Sequence, residues 1–84
     1  MISYIIMCRS LTYAQRASRT LERAGIAASV MRAPSGIDAK GCAYCIKISE
    51  RRLNDSLRLM RGDGITPGRI YKADAYGSYT EVLP

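Results

Sequence analysis

The sequence predicts a small α+β domain in which two helices cover one face of a four-stranded antiparallel sheet, with a short added strand at the C-terminus. Three observations lead there. The run Ile2-Ser3-Tyr4-Ile5-Ile6-Met7-Cys8 reads as a strand apolar on both faces, hence central or covered by a partner. Two later stretches, opening near Thr12 and Ser49, carry apolar residues at helical spacing. Glycine-rich and proline-rich punctuation separates these from three further strand-like runs, so the order reads strand, helix, strand, strand, helix, strand.

Each element has its own signal. Thr12 with Gln15 three residues later forms a capping box at the start of the first helix. Ala14, Ala17, Leu21 and Ala24 then fall on one face, while Arg16, Arg19 and Arg23 fall on the wet side. Gly25 ends the helix, and Ile26 is placed for the apolar contact that follows a glycine stop. Ala28 to Arg32 is a weaker strand, expected at an edge, and Pro34 to Gly41 is turn chemistry. Ala43 to Ile48 makes the third strand. Ser49 is expected to cap the second helix with Glu50 in its first turn, and Leu53, Leu57 and Met60 form its buried stripe. Gly62 and Gly64 end that helix, and Arg69 to Ala73 is the fourth strand. The tail, 74–84, contains Tyr76-Gly77-Ser78-Tyr79, a turn leading to an added strand or to an arm reaching a second subunit.

This order has one familiar solution, the ferredoxin-like split βαβ, with the first and third strands in the middle of the sheet. The face away from the helices is then uncovered, and Ile5 or Ile6 on it would favour a dimer through that face or through an edge. The 84 residues make a single domain, 1–84. A chain this short buries only about 60% of its unfolded surface, and association is a common remedy, so a homo-oligomer is expected.

Composition narrows the chemistry. The chain contains no histidine, which excludes an imidazole base or ligand. Its three cysteines are an odd number, and the apolar start lacks the features of an export signal, so a disulfide framework is not expected. That start is also too short to span a bilayer, and the expected location is the cytoplasm, with no membrane partner. A zinc site would need a carboxylate or a second chain beside Cys8, Cys42 and Cys45, and neither a metal nor another cofactor is expected. The net charge is +6, and ten of the thirteen cations are arginine, which favours anions, acidic proteins or nucleic acid as partners.

The segment Lys40-Gly41-Cys42-Ala43-Tyr44-Cys45-Ile46-Lys47-Ile48 carries the chemistry. Strand alternation puts Tyr44, Ile46 and Ile48 on one side and Ala43, Cys45 and Lys47 on the other. The first set suits the helix-packed side because Lys47 is costly to bury. Cys42 stands at the strand's entrance, where Gly41 frees the backbone and Arg32 and Lys40 flank it in sequence. An electropositive, partly exposed setting of this kind lowers a thiol pKa and makes it nucleophilic. A thioredoxin-like pairing of Cys42 with Cys45 fits poorly, since positions three apart in a strand face opposite sides. The segment also touches the third-strand signature of RNA-recognition motifs, with Tyr4 for the first-strand aromatic. However, Cys42 and Lys47 stand where stacking aromatics belong.

Nearly the whole chain resembles a family of small bacterial domains labelled putative selenium/sulfur carrier-like. The likeness runs through the hydrophobic first strand, Leu21-Glu22-Arg23-Ala24-Gly25-Ile26, the Ala33-Pro34 turn, Gly41-Cys42, and the helix ending near Gly64-Ile65. Members show a Cys-Gly pair before a hydrophobic strand, and here that cysteine is Cys42, followed by Ala43. An arginine often follows the family's proline, where this chain has Ser35. The resemblance implies a protein that accepts and donates sulfur or selenium on Cys42, a carrier or binding protein rather than a stand-alone enzyme. Donor and acceptor proteins would be its partners. Arg32, Lys40 and Gly41 would support the thiolate, and Cys45 would either resolve the persulfide or pack. The other expectation is a non-enzymatic binding or regulatory module whose basic surface takes RNA or an acidic protein.

Overall fold

The structure, a computed structural model, describes residues 2–35, 37 and 43–82. In chain order the elements are β1 (Ser3–Cys8), α1 (Leu11–Arg23), β2 (Ser29–Arg32), β3 (Tyr44–Ser49), a single 3₁₀ turn (Glu50–Arg52), α2 (Leu53–Gly62), β4 (Ile70–Ala73) and β5 (Tyr79–Val82). The five strands form one antiparallel sheet in the order β2-β3-β1-β4-β5. The sheet thus has five strands rather than four. β1 and β3 are interior, as expected, and β2 lies at an edge. The C-terminal strand pairs with β4 of its own chain, Ile70 opposite Val82 and Ala73 opposite Tyr79.

Local chemistry explains where the helices start and stop. α1 begins earlier than the Thr12-Gln15 pattern predicts. Ser10, in extended backbone, is its cap, and its Oγ accepts a bond from the Tyr13 N–H at 3.2 Å. Thr12 lies inside the helix. Ala14, Ala17 and Leu21 are fully buried, so the small side chains let α1 approach the sheet closely. Ala24 is instead the exposed C-cap. Gly25 (φ +82°) follows, with the Gly25 N–H bonded to the Glu22 carbonyl at 3.0 Å and the Ile26 N–H to the Leu21 carbonyl at 2.9 Å. These are the paired bonds of a glycine stop. Gly64 repeats the device after α2, with the Ile65 N–H reaching the Met60 carbonyl at 2.8 Å.

Ser49 makes no side-chain capping bond, and the 3₁₀ turn intervenes before α2. Leu57 and Met60 are buried, and Leu53 is half-buried. Ser56 joins them although its polar hydroxyl gave no sign of it, and its Oγ finds no hydrogen-bond partner.

β1 buries both faces. On the helix side Ile6 and Cys8 pack with Ile46 and Ile48 of β3 against Ala14, Ala17, Leu21, Leu57 and Met60. On the other side Ile5, Met7, Cys45, Tyr71 and Ala73 form a second buried cluster with Ile37. That second face was expected to be open. Ile37, carried by the chain between β2 and β3, packs on it instead, with Met31, Ala33 and Tyr79 around the edge. The motive for a dimer through that face is removed, since Ile5 and Met7 are each 1% exposed within the subunit. Among the described residues the large apolar side chains left exposed are Leu11 and Tyr76. No helix among them is long and apolar enough to cross a membrane.

Candidate functional site

Antiparallel pairing gathers one set of chain segments at one end of the sheet. β1 and β2 end there, at Cys8 and Arg32, while β3 and β4 begin there, at Tyr44 and Ile70. Cys8 lies opposite Tyr44, and Arg32 opposite Tyr44 on the other side. One further backbone bond, from the Ala33 N–H to the Ala43 carbonyl at 2.8 Å, closes the stem of the segment between β2 and β3. Lys40, Gly41 and Cys42 belong to that segment and lie outside the described residues. Ala43, which directly follows Cys42, is exposed.

The described residues at this end are positively charged. Arg32 is exposed, and its guanidinium sits over the Tyr44 ring, 5.7 Å from the centroid. Arg9, just beyond β1, lies over the Tyr13 ring at 5.3 Å. Arg69, just before β4, extends the ladder through its carbonyl to the Met7 N–H at 2.9 Å, with Glu81 4.0 Å from its Nε. The N-terminus of α1 opens at the same end with no acidic residue in its first turn. Sequence reasoning named Arg32 and missed Arg9 and Arg69. Their signal was positional: each adjoins a strand terminus that antiparallel order brings to the entrance of β3.

The other two cysteines are sealed, one on each face. Cys8 is 1% exposed on the helix side. Cys45 is fully buried on the opposite side, and its Sγ–H points to the Arg32 carbonyl at 3.8 Å. Burial pushes the Cys45 thiol up from 9.0 to about 11. Such a sulfur is protonated near neutral pH and acts as a small apolar side chain.

The expected alternation of β3 holds. Tyr44, Ile46 and Ile48 face the helices, and Lys47 is exposed on the other side. Tyr4 also packs against the helix-side core, so neither tyrosine offers its ring to a base on the helix-free face. Among the described residues no group of three or more His, Cys, Asp or Glu side chains is arranged to hold a metal ion.

No curated protein and no solved structure matches the chain. A family model does, over residues 3–72, which takes in both helices, the first three strands, most of the fourth and the segment carrying Cys42. The chain belongs to the family described as Putative Se/S carrier protein-like.

Proposed function

We propose that the protein carries sulfur or selenium on Cys42, on a ferredoxin-like arrangement of its first four strands to which β5 is added. The observation that carries this reading is the state of the other two thiols. Cys8 and Cys45 are buried on opposite faces of the sheet, and Cys45 is held protonated. Cys42 is thus the cysteine left for chemistry in a family named for chalcogen carriage. Arg32, at the stem of the segment that carries Cys42, supports this reading, since a cation stabilises a thiolate.

The transfer conserves electrons. The Cys42 thiolate attacks the outer sulfur of a donor protein's persulfide; the donor's S–S bond breaks and its thiolate leaves. Cys42 then holds the persulfide. An acceptor thiolate attacks the outer sulfur in turn, and Cys42 departs as the thiolate. Arg32 acts by its field at the stem, and Cys45 is a packing residue rather than a resolving one.

Incubation with a cysteine desulfurase and free cysteine, followed by intact mass spectrometry, tests the proposal. Wild type gains the mass of one sulfur atom, reversed by a reductant, and Cys42→Ser gains none. Equal loading of the two proteins, or none on wild type, overturns it.

A further inference from the structure

The outer side of α1 carries a second charged feature, distinct from the sheet end that leads to Cys42. Arg16, Arg19, Thr20 and Arg23 line a shallow groove with Asp63, which follows α2, around a cavity of about 210 Å³. One rim is already neutralised. The Thr20 hydroxyl donates to the Asp63 carboxylate at 2.8 Å, and the Arg16 guanidinium donates to the Asp63 carbonyl at 3.2 Å, with the carboxylate 3.9 Å away. These contacts tie α1 to the end of α2 and fix the groove's width. The other rim is not neutralised. Arg19 and Arg23 are exposed, one helical turn apart, and make no ion pair among the described residues. Like charges at this spacing weaken a helix, and an anion seated between them would relieve both.

We infer that this groove docks an acidic segment of a partner protein, with Arg19 and Arg23 as its carboxylate-binding pair. Guanidinium groups recognise carboxylates in paired, planar geometry, and two of them one turn apart suit two acidic side chains on one peptide. Two observations favour a peptide over a nucleic acid. No aromatic side chain lines the groove, so unpaired bases would have no stacking platform there. The Asp63 carboxylate also interrupts the positive track that a continuous phosphate backbone would follow. The inference does not depend on the thiol chemistry.

Fluorescence anisotropy with a labelled oligoglutamate peptide at low ionic strength tests it. Wild type binds, and added salt weakens the binding. Arg19→Glu/Arg23→Glu binds about tenfold more weakly. Arg51→Glu/Arg58→Glu, with the same change in net charge on the 3₁₀ turn and α2, stays within about twofold of wild type. Arg19→Gln/Arg23→Gln, which removes charge without reversing it, gives an intermediate loss with unchanged circular dichroism. Equal loss in the two glutamate double variants, no wild-type binding, or tighter Arg19- and Arg23-dependent binding of a single-stranded RNA oligonucleotide each overturns the assignment.

Discussion

On one face of the sheet, Ile6, Cys8, Ile46 and Ile48 lie under two helices; on the other, Ile5, Met7 and Cys45 lie under Ile37 and the side chains of edge residues. Both faces are dry at their centres, but their covers differ in kind. α1 and α2 are hydrogen-bonded units whose own backbones are satisfied. The described cover on the far side is the Ile37 side chain, with Met31, Ala33 and Tyr79 at its edge. The difference teaches that one face is closed by whole helices and the other by single side chains, chiefly Ile37. Each cover also seals one cysteine, Cys8 beneath the helices and Cys45 on the far side.

Substitutions on the two faces should separate these covers. The largest effect is expected for Ile6→Ala beneath the helices, about 4 kcal/mol in urea unfolding, because a large cavity opens where the packing cannot collapse. Ile37→Ala on the far side should cost about 2 kcal/mol, since the residue lies at the rim of its cluster and its site can relax. Equal losses at the two positions would break the comparison.

The pH dependence of stability tests the far-side seal. The folded Cys45 thiol titrates at about 11 against 9.0 for the free group, so the unfolded chain releases its proton first. Stability is therefore full below pH 9 and falls as pH rises from 9 towards 11, by about 2 kcal/mol. Cys45→Ala should lose less than wild type over that window, as read from urea midpoints at successive pH values. The smallest effect concerns the helix-side cover. Ser10→Ala should cost about 1 kcal/mol by removing the α1 cap, while Thr12→Ala should cost less. A larger loss at Thr12 would restore the capping box read from sequence.

Much of this was legible in the residues themselves. The apolar character of both faces of β1 followed from Tyr4 to Cys8, although its far face was expected to be open within the subunit; the alternation of β3 followed from the position of Lys47, and the helix stops from Gly25 and Gly64. The tail's tyrosines and Gly77 pointed to a turn and a further strand, and the partner of that strand proved to be β4. What escaped was non-local. Ile37 lies in a segment rich in turn residues, and its packing partners, Ile5 and Met7, lie some thirty positions upstream, beyond any periodicity. Ser10 and Thr12 are both good capping residues; the choice depended on where β1 ended and how soon the chain turned. Ser56 has no apolar group to announce its burial. The cationic sheet end was only partly legible, because Arg9 and Arg69 gain their meaning from strand order and not from their neighbours in sequence.

The central claim is that two cysteines are sealed on the two faces and Cys42 alone does the chemistry. Alkylation of the native protein across a pH series, with each cysteine followed separately by peptide mass spectrometry, tests it most directly. Cys42 should react first, with a midpoint below that of a free thiol, while Cys8 and Cys45 stay unmodified until denaturant is added. Modification of native Cys45 as fast as Cys42 would contradict the account.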